Sequence, residues 1–196
     1  MKFYVPILGA FMLLLNSCTT NEKKIPLTAN SITTDSLAKQ RFFPVTTYIK
    51  GQLYSIKEKG LNPIQYLIEG DKKDSSWLKI EDLPSAINEF LTPEIDSTNL
   101  IQLFLEKKFV DQSLDAVTLT YEPIKKLPDS LSLSSWTVYI QPETGNVKRI
   151  YLVKTKATKT TQLTWNSNAN CKMVYLTSNA DGSFVVDKEV KINWDY

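Results

Sequence analysis

The 196-residue chain contains no histidine, and this absence excludes more chemistry than any other feature of its composition. Without an imidazole, neither a Ser-His nor a Cys-His nucleophile can be activated, and most zinc sites lose a ligand. The six glycines are scattered, so the chain has no glycine-rich loop to cradle a phosphate group. Carboxylates are the only plentiful acid-base groups, and their close pairs lie in polar turns, where they are ordinarily solvated. We therefore expect no catalytic residue, no metal site and no cofactor.

Cysteine is also scarce, since only Cys18 and Cys171 are present. Cys171 lies in a strand-like run, and we expect it to be a small buried apolar side chain rather than a reactive thiol. The charge is nearly balanced, with 23 basic and 21 acidic residues and a formal net charge of +2. A balance of this kind argues against nucleic acid as a partner.

The first residues have the proportions of a signal peptide. Lys2 supplies a positive start, and the apolar run at residues 3–15 is shorter than the roughly twenty residues of a membrane-spanning helix. The ending Leu15-Asn16-Ser17-Cys18 resembles the lipobox of bacterial lipoproteins. This resemblance implies that residues 1–17 are removed and that the Cys18 thiol is joined to diacylglycerol. The alternatives are an ordinary signal peptide with an incidental cysteine, or an uncleaved anchor.

Composition divides the remainder into two parts. Residues 18–43 are rich in Thr, Ser, Asn and Lys and have few large apolar side chains, which predicts a lipidated flexible tether. Residues 44–196 are long enough for a hydrophobic core, and we expect them to form a single α+β domain.

The clearest helix is predicted at residues 44–59. Pro44 suits the first turn and Gly60 suits the end. Apolar side chains recur there at helical spacing: Val45, Tyr48, Ile49, Leu53 and Ile56. A strand is predicted at 64–69, a polar turn at 70–76 and a second helix at 83–91. Residues 100–108 favour a third helix, although the same apolar run fits a buried strand.

From residue 116 onward the apolar period changes to two, which is typical of strands. Short turns separate about six such strands, and links this short require antiparallel neighbours. We therefore predict an α+β fold in which N-terminal helices pack on a C-terminal antiparallel β-meander sheet of about six strands.

The alternation also predicts the two faces of that sheet. One parity is apolar and forms the core face: Val117, Leu119, Tyr121, Trp136, Val138, Ile140, Ile150, Leu152, Leu163, Trp165, Val190, Ile192 and Trp194. The opposite parity is mostly polar and forms the solvated face, with Thr118, Lys191 and Asn193 among its residues. It also contains Tyr139, Arg149 and Tyr151, which the 142–146 hairpin brings close together. Aromatic rings and a planar guanidinium suit a sugar or a peptide, so these three residues are the candidate ligand site. The alternative is that such residues merely suit strands.

Four short motifs distributed over the chain carry a wider resemblance. They are Phe43-Pro44-Val45, Asp74-Ser75-Ser76-Trp77, Phe90-Leu91-Thr92-Pro93 and Leu163-Thr164-Trp165. In this combination the chain looks like small bacterial lipoproteins in which helices precede a C-terminal antiparallel sheet. The resemblance implies a shared fold and export route, and it brings no catalytic residue with it.

These features together predict a lipid-anchored protein of the bacterial cell envelope, on the outer membrane and facing the periplasm. We expect a binding or interaction module without catalysis. Its expected partners are the lipid bilayer, through acylated Cys18, and an envelope protein, peptide or glycan. One alternative is a carrier or chaperone for lipid or apolar cargo, similar in outline to lipoprotein-sorting factors whose curved sheet is lidded by helices. Another is a hydrolase that uses carboxylates only.

Overall fold

The computed structural model describes residues 41–195 of the chain. The expected signal peptide (1–17), the expected lipidation site Cys18 and most of the expected tether therefore lie outside the described residues. The end of that tether segment is described, and there Phe42 is only 2% exposed within the hydrophobic core. The packed chain thus includes Phe42, two residues before the domain boundary that we expected.

The described residues form one antiparallel sheet of nine strands, in the order β2-β1-β9-β8-β7-β6-β5-β4-β3. Strands β3 to β9 follow one another as a meander, and the β1–β2 hairpin pairs with β9 at the far side. The strands are β1 (Ile64–Glu69), β2 (Lys72–Trp77), β3 (Phe104–Asp111), β4 (Ala116–Pro123), β5 (Leu133–Ile140), β6 (Val147–Lys156), β7 (Lys159–Asn166), β8 (Asn170–Ser178) and β9 (Phe184–Asn193).

The antiparallel sheet was predicted correctly, but the expected number of about six strands was too low. The six predicted strands are β4 to β9. The helix favoured at residues 100–108 is wrong, because Phe104 begins strand β3, which pairs with β4 along its whole length. The polar turn expected at residues 70–76 is also wrong, because Lys72 begins strand β2. All six β2 side chains are exposed, so this edge strand has no apolar alternation by which to recognise it.

The first helix, α1 (Val45–Glu58), follows the prediction closely. Val45, Ile49, Leu53 and Ile56 are buried, and the four lie in the same hydrophobic cluster as the apolar side chains of the sheet. Gly60 follows with a φ of 66°, the left-handed conformation that glycine adopts most readily.

The second predicted helix, at residues 83–91, is divided in two. The pieces are α2 (Leu83–Ala86) and α3 (Asn88–Leu91), and the buried Ile87 between them has a φ of −104° and a ψ of 14°. Because β1 and β2 precede these helices in the chain, the helices are not gathered before the sheet as we expected. None of the helices in residues 41–195 is both long and apolar enough to cross a membrane.

The core face of the sheet has the predicted parity. Ten of its thirteen predicted side chains are buried, and Val117, Leu119 and Ile140 are half-buried. Thr118 on β4, predicted on the solvated face, is only 1% exposed, so that part of the prediction is wrong. The Tyr121 and Trp136 rings are stacked with centres 4.4 Å apart, and the ring of Phe104 meets Trp136 edge-on at 4.7 Å. The opposite surface of the sheet, called the outer face below, carries the candidate ligand site.

Candidate functional site

Tyr139 and Arg149 are directly opposite each other on β5 and β6. Cross-strand partners of an antiparallel pair share a face, and their neighbours Val138 and Ile150 are buried in the core. Both side chains therefore lie on the outer face, as the alternation predicts. The guanidinium carbon of Arg149 is 6.0 Å from the centre of the Tyr139 ring, at the limit of a cation–π contact.

Arg149 is held in place from the other side by β7. Its Nε donates a hydrogen bond to Oδ1 of Asn166 at 3.0 Å. Within residues 41–195 no carboxylate lies within ion-pair distance of Arg149. A guanidinium has five N–H donors, so most of them remain available to a ligand.

Tyr151, the third candidate residue, is two positions from Arg149 on the same strand and lies on the same face. It is half-buried, and burial raises the pKa of its phenol, with a further contribution from nearby Tyr139. The phenol is therefore protonated at neutral pH and can donate a hydrogen bond. The structure brings all three predicted residues together.

A small open pocket of about 140 Å³ lies beside this group. Its lining consists of Leu114, Ala116, Tyr139, Lys148 and Arg149. Lys148 Nζ donates to the carbonyl oxygen of Leu114 at 2.9 Å. Two cations and one aromatic ring thus line the pocket, and no carboxylate is among its lining residues. The sequence did not predict Lys148, since it reaches this face through a register irregularity between β5 and β6.

A row of polar residues continues from Arg149 across the sheet, and we call it the polar row. It follows the strand register from β5 to β9: Tyr139, Arg149, Asn166, Asn170 and Asn193. Asn166 Nδ2 donates to Asn170 Oδ1 at 2.9 Å. A guanidinium and an amide chain are therefore joined by hydrogen bonds across three strands.

The next row of the outer face brings two lysines together. Lys172 on β8 is directly opposite Lys191 on β9. Lys172 Nζ lies 2.8 Å from a Glu189 carboxylate oxygen. Lys191 has no carboxylate partner within the described part of the chain. A pocket of about 360 Å³ is lined by Lys191 together with Tyr66, Ile68, Glu189 and Asn193.

Sequence reasoning placed Lys191 and Asn193 on the outer face but gave them no role. It did not single out Asn166, Asn170 or Lys172. The available signal was the outward parity of each residue within its own strand. Parity says nothing about which residues of different strands become neighbours, because that depends on the register.

A larger groove of about 620 Å³ lies between α1 and the turns that follow β5 and β7. Tyr48 donates from its hydroxyl to Ser167 Oγ at 2.8 Å, and the Asn168 N–H donates to Gln52 Oε1 at 3.0 Å. These hydrogen bonds tie the helix to the sheet, so we interpret the groove as a structural junction.

Cys171 is fully buried on the core face, opposite Ile192. Burial raises the pKa of its thiol well above the ordinary range, so the reactive thiolate is disfavoured. This matches the expectation of a small buried side chain. Within residues 41–195 no cluster of three or more Asp, Glu, Cys or His side chains is arranged to hold a metal ion.

Comparison of the chain with protein-family models, with curated proteins and with solved structures finds no match.

Proposed function

We propose that this protein is a non-catalytic binding module of the bacterial cell envelope, held at the membrane by acylated Cys18, and that its outer sheet face is the binding surface. The binding function is inferred from the group formed by Tyr139 and Arg149. Its cation is exposed, oriented by Asn166, and without a carboxylate partner in the described residues. Such a group is arranged to receive a ligand.

We infer that α1 covers the core face and thereby leaves the outer face for ligands. Its four buried side chains belong to the same cluster as the sheet core, and Tyr48 and Gln52 bond to the turn after β7. The envelope location rests on the lipobox-like ending at Cys18, and the outer membrane is the proposed site.

A carrier of apolar cargo would need an apolar cavity between helices and sheet. In the described residues that layer contains close ring contacts instead, such as Phe90 against Trp165, with centres 5.5 Å apart. An exposed face with tyrosines, amides and cations favours the binding module over the carrier.

The test places a photo-crosslinking residue at position 151 in the full-length lipoprotein, in living cells. We expect covalent adducts with an envelope component at this position. Arg149→Ala in the same chain should reduce their yield by at least about tenfold, since a central arginine is a common binding hot spot. The matched control carries the crosslinker at position 54, because Tyr54 is 66% exposed on α1, away from the outer face.

Adducts of equal yield at positions 151 and 54 would contradict the proposal. So would an envelope partner bound equally well after Tyr139→Ala, Arg149→Ala and Tyr151→Ala are combined.

A further inference from the structure

The outer face carries an unbalanced positive charge along two adjoining rows. The first is the polar row, with Arg149. The second is Thr137, Tyr151, Thr164, Lys172 and Lys191, which we call the lysine row. Neither row contains an acidic residue. Glu189, which lines a pocket together with Lys191, pairs with Lys172. These rows therefore have an excess of positive charge that the described residues do not neutralise.

The lysine row also places two like charges directly opposite each other. Lys172 and Lys191 are cross-strand partners on interior strands, and such pairs are destabilising. Glu189 neutralises the charge of Lys172 alone, because its contact is with that lysine. A bound anion would remove the remaining repulsion, which gives the pair a physical reason to exist at a binding surface.

The spacing of the cations indicates how many charges the ligand carries. Arg149 is on β6 and Lys191 is on β9, three strand steps away, or about 14 Å at the usual strand separation. One carboxylate cannot reach both. A ligand that engages both cations is therefore extended, carries at least two negative charges and lies across the strands.

Apart from Lys172, which pairs with Glu189, the groups between the two cations are amides and hydroxyls. Asn166, Asn170 and Thr164 lie there, and each offers donors and acceptors that suit sugar hydroxyls. Tyr139 adds a ring at one end. A peptide is less well suited, because extended peptides bind at a sheet edge or in a groove, and β5 to β9 are interior strands.

We propose that the outer face binds an acidic oligosaccharide, laid across β5 to β9 over the polar row and the adjoining lysine row. Its carboxylates meet Arg149 and Lys148 at one end and Lys191 at the other. This inference rests on the binding function proposed above, and it names the ligand class.

The probe is an oligogalacturonate long enough to span the polar row, and its fully methyl-esterified form is the neutral counterpart. Both are titrated calorimetrically into the full-length lipidated protein, held in a polyoxyethylene-ether detergent that carries neither sugar nor charge. We expect the acid form to bind at least about tenfold more tightly than the ester. Its affinity should fall as salt is added, because exposed charges are screened.

Arg149→Gln and Lys191→Gln each remove one charge from an outward-facing side chain, and each should weaken the acid form by about tenfold. Lys72→Gln is the matched control. It makes the same charge change on the edge strand β2, at a position fully outside the two rows, and should leave the affinity unchanged.

Several results would overturn the inference: equal binding of acid and ester, affinity unchanged by both variants, binding of poly-glutamate at the same affinity, or binding of no form at all. The crosslinking experiment at position 151 shows whether such a result rejects the acidic sugar alone or the binding function as well. Adducts that depend on Arg149, together with no oligogalacturonate binding, would retain the binding module and reject the acidic sugar.

Discussion

Lys154 is buried on the core face of β6, and its Nζ lies 2.6 Å from a carboxylate oxygen of Glu89 on α3. The lysine side chain is 9% exposed and the glutamate side chain 43% exposed. An ammonium group buried to this degree needs a negative partner, since charge is costly to remove from water. The short helix α3 supplies that partner, so the ion pair joins the helix to the sheet.

Glu89→Gln should therefore destabilise the protein. We expect a loss of about 1–3 kcal/mol in the free energy of unfolding, because the buried lysine loses its charged partner but retains an amide. Glu94→Gln is the control. Its ion pair with Lys50 is exposed on both sides and should contribute less than about 0.5 kcal/mol. Chemical denaturation of both variants measures the difference, and equal stabilities would contradict the role assigned to Glu89.

Leu53→Ala should weaken the attachment of α1. The side chain is 7% exposed within the hydrophobic cluster, so its truncation should cost about 2–5 kcal/mol. Tyr54→Ala changes the next residue of the same helix, which is exposed, and should change the stability by less than about 0.5 kcal/mol. An unchanged melting temperature for Leu53→Ala would mean that α1 is peripheral to the fold.

Cys171 should resist alkylation in the native protein and react once the chain is unfolded. Its thiol is fully buried, and burial raises its pKa in the folded state. The stability associated with the neutral thiol is thus fully present below the ordinary cysteine pKa of about 8.5. It is lost as pH rises from that value toward the raised folded pKa.

The measurement is the unfolding free energy of wild type minus that of Cys171→Ala as a function of pH. This difference removes the titration of the lysines and tyrosines that the two proteins share. We expect it to decrease above pH ~8.5. Rapid native-state alkylation at neutral pH, or a difference that rises with pH, would show that the thiol is accessible or ionised.

Cys18→Ala should release the protein from the membrane fraction, if the lipobox-like ending functions as proposed. Two or more acyl chains at about 0.8 kcal/mol per buried methylene hold a protein stably, whereas one chain does not. Mass spectrometry of the N-terminal peptide should show acylated Cys18 in the wild type. A wild-type chain that begins at Met1 and remains membrane-bound would instead indicate an uncleaved anchor.

Local patterns in the sequence were sufficient for much of the fold. The helical period over residues 44–59 and the alternation in β4 to β9 predicted α1, six strands and the parity of both faces. These features depend on which side of one element is apolar, and that is encoded within the element itself. The sequence also placed Tyr139, Arg149 and Tyr151 on one face, because the short hairpin between their two strands determines the register.

Tertiary structure decided the features that depend on distant segments. The all-exposed β2 is a strand only because it pairs with β1, and residues 104–108 belong to β3 because β4 lies beside them. The polar row and the lysine row likewise arise from the register of β6 to β9. That register places Asn166 opposite Arg149, and Lys172 opposite Lys191. A one-residue shift would move each side chain to the other face, and no single strand contains the information that prevents it.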